Sequence, residues 1–485
     1  MPIISISSDC WKESRNEGNA GVMEKLGRNR AVLPTVMVVA YSLPSFSQSL
    51  IHGPVGAIIQ GIYAKSFGLP LAVIATALLV ASIADIALHP LVGYASDRHR
   101  THGGSRKPWI LVGTGVCMLG SWFLYAPTPP VTGLYFFAWL IIAYAGWALV
   151  EVPHAAWMPE ITSDYDTRTR LAAWRAACMY GGVIAFMALP YLPFLETHAF
   201  SAESLRWTAI LAMVVLPTFA LLALRTVPSG YPVVMTKAGR PKVTWRGILG
   251  NRPLGLFAVA FFMYQLAPGV ANGVLFFYVD SHLGQGQFMA GLMLLSVVAG
   301  LASIPAWGWL CRRIGKHRAW ALSCVAAAIL FPCFALVPPG ESGIIWLAIV
   351  QLGIVVAFAI FPVAAPAVLA DVIDYARLKY GADYGGSYFA IYNVFYKSLA
   401  NIGGAASIAV VGLAGLDPTL SVQSDAATMA LLTVFCAVPA VLLAIAAPFI
   451  WRFPIDARRQ RLISARLATR DRRAMAMPQG SASEA

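Results

Sequence analysis

Long, nearly uncharged apolar runs recur along this chain from residue 34 to residue 451, and they limit its fold more than any other feature. Twelve can be marked, at about 34–64, 69–96, 108–126, 132–158, 171–195, 206–225, 253–280, 287–311, 319–338, 343–370, 386–414 and 426–451. A helix needs roughly 20 mainly apolar residues to cross hydrocarbon. Inside a bilayer every backbone polar group must be paired within the protein, so a spanning segment is a helix or part of a closed barrel. Barrel strands would show as alternating segments of about ten residues, and these runs are continuous. Only 12% of the 485 residues are charged, about half the usual share of a soluble chain. The expected fold class is an all-α membrane protein with twelve transmembrane helices. Pro44 and Pro54 interrupt the first run, so a bent helix is expected there.

Positive charge orients the spans. All but three of the 35 Lys and Arg residues fall on one side if the twelve spans alternate, the exceptions being Lys65, Arg206 and Lys397. Basic loops face the cytoplasm, so both termini are expected there, in a multi-pass protein of the plasma or bacterial inner membrane. The net charge of +13 is therefore read as loop charge, with no nucleic-acid partner. The longest polar interruption divides the chain. The expected organisation is a cytoplasmic tail at 1–30, a six-helix half at 31–225, a cytoplasmic loop at 226–252, a second six-helix half at 253–451 and a basic tail at 452–485. A loose repeat supports the division. Gly93-x3-Asp97-Arg98 followed by Arg106-Lys107-Pro108-Trp109 is echoed by Gly308-x3-Arg312-Arg313 followed by Lys316, Arg318 and Trp320. Two six-helix halves of like topology resemble the major facilitator fold, which holds substrate between the halves and rocks them for alternating access.

The first 30 residues carry four acids and no apolar core, so no cleavable signal is expected and the first span serves as the targeting segment. The seven cysteines are scattered, mostly inside apolar runs, and read as reduced packing residues. In the tail, Leu462, Ile463 and Leu467 share one face among arginines; a helix on the anionic leaflet and an unstructured basic tail stay open as readings. No P-loop, dinucleotide fingerprint, nucleophile elbow or metal-ligand spacing is present. The chain is therefore not expected to be an enzyme or an ATP-driven pump, nor to carry a metal or cofactor.

Few ionisable side chains lie at membrane depth: Asp85, Glu151 and Lys397, joined by His52, His89 and His154. A charge at the bilayer centre costs about 2.5–3.5 kcal/mol even on insertion scales. Asp85, Glu151 and Lys397 are therefore expected to face one polar cavity and offset one another, as a coupling site or as a packing ion pair. Asp85 and His89 stand four residues apart, on one helix face. Asp97, Arg98, Arg106, Lys107, Asp371 and Asp374 lie at cytoplasmic helix ends and read as a gating and topology device.

Three stretches together resemble the glycoside–pentoside–hexuronide:cation symporters, the melibiose permease-like group. They are Asp85-x3-His89-Pro90-Leu91-x-Gly93-x3-Asp97-Arg98; Glu151 through Arg170 with Arg175; and Ala370-Asp371-Val372-Ile373-Asp374-Tyr375 with Gly385 to Ala390 and Lys397. The resemblance implies sugar or glycoside import driven by a cation. It aligns Asp85, Glu151 and Lys397 with the family's cation-site acids and lysine, and Arg175 with its arginine after the fourth span. Two departures matter. His89 replaces a second acid, and Ser49 beside Gln48 stands where the family has a sugar-binding carboxylate. Sodium prefers hard oxygen ligands, whereas imidazole exchanges a proton readily, so H⁺ coupling is favoured over Na⁺.

The expected function is H⁺-coupled symport of a sugar, glycoside or uronide. Asp85, His89, Glu151 and Lys397 would serve the coupling cation. Gln48, Ser49, His52, Glu151, Trp157, Arg175 and Asn393 would serve the substrate. The expected state is a monomer in the lipid bilayer. An uncoupled facilitator or exporter of a non-sugar or lipid-like solute, and a non-transporting sensor, remain as alternatives.

Overall fold

A computed structural model describes residues 33–162, 164–195, 197–230, 251–380, 385–420 and 423–476. The tail expected at 1–30, most of the loop expected at 226–252 and the final residues 477–485 lie outside the described residues. Eleven helical stretches among the described residues are long and apolar enough to cross a membrane. The first expected span falls short of that apolarity because Ser42, Ser45, Ser47, Gln48, Ser49 and His52 crowd it. It nevertheless runs through the bundle as the twelfth pass, with Tyr41, Leu50, Ile51 and Ile59 fully buried. A span surrounded by protein can carry more polar groups than one facing lipid.

This first pass is bent, as its prolines imply. It consists of α1 (Thr35–Ala57) and α2 (Ile59–Phe67), parted at Ile58, whose N–H still reaches the Pro54 carbonyl at 3.0 Å. The first half continues with α3 (Leu71–Thr101), α4 (Lys107–Tyr125), α5 (Gly133–Ile161), α6 (Tyr165–Ala188) and α7 (Ala202–Thr226). Side-chain caps open several of these helices. Thr132 accepts from Tyr135 N, Asp164 from Thr167 N, and Ser201 and Ser204 form a reciprocal box. The second half comprises α8 (Arg252–Phe276) with a π-turn to His282, α9 (Met289–Ile314), α10 (Lys316–Cys333), α11 (Ile344–Phe358), α12 (Phe361–Tyr380), α13 (Gly385–Leu413), and α14 (Asp425–Leu432) running through a π-turn into α15 (Val438–Trp451).

Helix α1 packs on α6 and α7, and α4 on α5; in the second half α8 packs on α13 and α15, and α10 on α15. Small residues allow the α4–α5 approach. A Cβ on Gly120 would overlap the backbone of Ala143, and one on Gly146 the backbone of Cys117. Lipid offers no hydrophobic drive between helices, so close backbone packing supplies the attraction.

The halves meet along α3–α13, α1–α8 and α6–α9. Several described contacts between them gather at the end away from the basic turns. Lys65 Nζ lies 2.7 Å from Asp280 Oδ2, Gln60 Nε2 donates to Gly273 O at 3.4 Å, and Gly61 admits the Phe276 ring. The basic tail forms a helix, α16 (Ala457–Ala476). Its apolar residues do not act as one lipid-facing stripe. Ile463 and Leu467 are buried in the protein core, and only Leu462, 54% exposed, faces out.

Gly146→Leu is expected to destabilise the fold by about 1–3 kcal/mol through overpacking. Gly115→Ala on α4, where a Cβ meets nothing within 4 Å, is expected to leave it unchanged or improve it. Thermal melting of the purified variants in detergent checks both.

Candidate functional site

Helix α3 brings Asp85 and His89 to one face, and α5 brings Glu151 opposite them. His89 Nδ1 lies 2.9 Å from the Asp85 backbone oxygen and 3.2 Å from Asp85 Oδ1, and its Nε2 lies 3.6 Å from Glu151 Oε2. The imidazole therefore stands between two carboxylates. A carbonyl oxygen only accepts, so Nδ1 carries a hydrogen. In the neutral ring Nε2 then presents a lone pair towards Glu151. One added proton, on Nε2 or on Glu151, turns that repulsion into attraction. The side chains of Asp85, His89 and Glu151 are 13%, 23% and 36% exposed, so none of the three is sealed in the core.

These residues line a cavity of about 450 Å³ between the halves. His52 joins them, its ring 4.5 Å from that of Trp147. Across the cavity stand Tyr264, Gln265, Asn272, Tyr396 and Asn401. Polar groups on an aromatic wall are what a sugar ring requires: hydroxyls pair with the amides, and apolar ring faces lie on the aromatics. Sequence reasoning missed these five second-half residues, because none is charged and their convergence needs the packing of α8 on α13.

The other expected site residues lie elsewhere. Trp157 is 1% exposed; it donates to Pro228 O at 3.0 Å and packs edge-on against Tyr41. It does not line the cavity, because Trp157 stands ten residues along α5 from Trp147, towards the basic end. His154 is fully buried beside it, its Nε2 2.7 Å from Tyr41 O. Arg175 sits at the same level, with Nε 3.4 Å from Ser45 Oγ. Gln48, Ser49 and Asn393 are not on the cavity lining either, and the Gln48 amide nitrogen is buried with no protein partner among the described residues. Lys397 lies on α13, but its side chain is outside the described residues.

The basic end carries two matched networks. Arg106, 7% exposed, donates to Glu160 Oε1 at 2.7 Å, to Asp97 Oδ1 at 2.7 Å and to Ser96 Oγ at 3.0 Å. Arg100 Nε lies 3.1 Å from Glu160 Oε2, at an angle that makes an ion pair without a hydrogen bond. Its guanidinium also donates to Gly230 O at 2.7 Å, and Lys107 Nζ to Leu224 O at 2.7 Å. Arg98 is exposed. In the second half Lys316 Nζ pairs with Asp371 at 2.7 Å, and Gln460 of α16 donates to Asp374 at 2.8 Å. Glu160 was visible in the sequence, yet only the return of α5 to the start of α4 shows it as the partner of both arginines.

Beyond Pro268, Asn272, Phe358 and Pro362, which the two share, the polar cavity abuts a second chamber of about 390 Å³. Its walls are mainly apolar, with Met187 of α6, Met293 and Leu301 of α9, Phe331 and Phe334, and carry Ser296 and Gln351 among them.

Comparison with known proteins bears on the whole bundle. Residues 40–457 match the family model described as MFS/sugar transport protein. The chain is 23% identical over 458 residues to the uncharacterized symporter YnaJ of Bacillus subtilis (strain 168), over 92% of this chain and 97% of that one. It is 22% identical over 433 residues to the glucuronide carrier protein homolog of Escherichia coli (strain K12), over 86% and 92% of the two chains. Among solved structures, a D-xylose-proton symporter superposes with a TM-score of 0.63 at 16% identity, covering 87% of this chain and 97% of that one. That likeness shows the shared fold, two six-helix halves.

Breaking the buried Arg106–Glu160 pair leaves a charge unmatched, at about 3–5 kcal/mol. Glu160→Gln is therefore expected to lower the melting temperature well below that of Asp97→Asn, because the Asp97 side chain is 64% exposed against 3% for Glu160. Equal shifts for the two variants would contradict this ranking.

Proposed function

This chain belongs to the MFS/sugar transport protein family, and we propose that within it the chain is a proton-coupled importer of a sugar, glycoside or uronide. As a member of that family it is a multi-pass membrane transporter and not an enzyme. The observation that carries the proton reading is His89 held between Asp85 and Glu151 on the cavity wall. The arrangement gains a favourable contact when one proton arrives. A sodium ion at the same place would meet an imidazole nitrogen where a hard oxygen ligand is wanted.

The basic end is the cytoplasmic face on this reading, because Lys and Arg concentrate there. The inter-half contacts at Lys65–Asp280 and Gln60–Gly273 then close the outer end, so the cavity serves the cytoplasm in this state. Binding of a proton halves the negative charge of this wall and, with substrate in place, eases the occluded intermediate, which a bare pair of carboxylates would oppose by its desolvation cost. The names of the relatives, a symporter and a glucuronide carrier homolog, support the substrate class and the symport mode.

The apolar chamber supports a second reading of the cargo. A solute with an apolar portion, such as a glycoside with an apolar aglycone or a lipid-like molecule, would fill both spaces.

Uptake of labelled sugars, uronides and apolar glycosides into proteoliposomes tests both readings. An imposed pH gradient is expected to drive accumulation, a sodium gradient is not, and Asp85→Asn is expected to abolish accumulation at least tenfold. Accumulation driven by sodium alone, or flux indifferent to both gradients, would overturn proton coupling. Preference for the apolar glycosides would establish the second reading of the cargo.

A further inference from the structure

Away from the central cavity, α16 builds a second cleft. It has a volume of about 570 Å³ and lies between the start of α8, the end of α12, the end of α15 and α16 itself. Four arginines line it: Arg252 at the first position of α8, Arg452 at the C-cap of α15, and Arg459 and Arg466 on α16. No carboxylate is on the lining. The nearby acids are committed elsewhere. Asp456 caps α16 by accepting from Arg459 N at 2.8 Å, a hydrogen bond that holds its carboxyl below the ordinary carboxylate range. Asp374 receives the Gln460 amide. Arg459 Nη1 donates to Pro454 O at 2.6 Å, and Arg252, Arg452 and Arg466 line the same cleft.

The floor of the cleft is apolar, with Leu256, Leu378, Ile455 and Leu462. Leu462 is 54% exposed although its neighbour Ile463 is buried, so the floor is open along one side of α16. A shallower groove continues past Arg466 to Thr469 and Arg470. The level is set by the spans. The apolar stretch 252–282 begins at Arg252 and the stretch 425–451 ends one residue before Arg452, so the cleft lies where phospholipid headgroups lie. Helix α16 is docked rather than loose. Ile463 and Leu467 are buried, and Arg470 Nη1 donates to Arg377 O at 3.1 Å.

A cationic rim over an apolar floor at headgroup depth complements a phosphodiester attached to acyl chains. A free anion would use the rim and leave the floor wet. We propose that the cleft is a binding site for an anionic phospholipid. Its phosphate would lie among Arg252, Arg452, Arg459 and Arg466, and its glycerol–acyl region on Leu256 and Leu462. The volume falls within the about 300–1,000 Å³ of small-molecule sites. Occupancy would fasten α16 to α8 and α15, and so tie the tail to the second half.

Native mass spectrometry of the full chain in detergent, titrated with phosphatidylglycerol or phosphatidylcholine, tests this without any transport readout and whichever way the chain faces. Retained phosphatidylglycerol adducts are expected, with affinity about thirtyfold weaker in Arg452→Gln combined with Arg466→Gln, the loss expected from two surface arginines. Arg312→Gln with Arg313→Gln removes the same charge from the turn before α10 and is expected to keep the affinity. Should the first pair fail to fold, as judged by melting, Leu462→Asp at an exposed position is expected to lose the lipid while melting normally. Equal binding in the arginine variants, no preference for phosphatidylglycerol, or full displacement by millimolar inorganic phosphate would overturn the assignment, the last in favour of a soluble-anion site.

Discussion

A charge in hydrocarbon must be matched or wetted, and most of this structure can be read as an answer to that requirement. The described ionisable side chains collect at three levels. At the end away from the basic turns, Lys65 meets Asp280. Midway, His89 lies between Asp85 and Glu151 beside a cavity. At the basic end, arginines and lysines pair with Glu160, Asp97 and Asp371. Between these levels the spans are held by close backbone packing, as at Gly120 and Gly146, where nothing larger than hydrogen fits.

The two basic-end networks show how the halves repeat in structure on a sequence repeat that is only loose. Arg106 at the start of α4 binds Glu160 at the end of α5, and Lys316 at the start of α10 binds Asp371 towards the end of α12. In both, a cation at a helix start holds an acid from a later helix that returns to the same level. The first half adds Arg100, which reaches on to the carbonyls of Ser229 and Gly230 and so fixes the exit of α7. The second half adds Gln460, which ties α16 to α12.

How much of this the sequence discloses depends on the range of the interaction. The twelve passes were legible because apolar length is a local property, and the Asp85–His89 pair because residues four apart share a helix face. The meeting of His89 with Glu151 was half legible: charge cost demanded a common cavity but could not name which atoms met. Trp157, expected near the substrate, is not on the cavity lining. Its depth along α5, and not its distance in sequence from Glu151, decides what it touches. Tyr264, Gln265, Asn272 and Asn401 gave no signal, since uncharged residues on distant helices leave no mark until the halves are assembled. The tail left a surface helix and an unstructured basic segment both open, and the burial of Ile463 and Leu467 depended on a docking face that composition does not encode.

The cluster of Asp85, His89 and Glu151 has one topological property of consequence. Asp85 and His89 are on α3 and Glu151 is on α5, so all three belong to the same half and pack directly on one another. Tyr264, Gln265 and Asn272, by contrast, belong to the other half. A rocking motion of one half against the other therefore carries the carboxylates and the imidazole along as a unit, with their mutual distances kept. What changes around them is the medium: the opposite wall, and with it the number of water molecules that stabilise a bare charge. Under the coupling proposed above, the energy linking ion to cargo would be stored in solvation rather than in the making and breaking of ligand bonds.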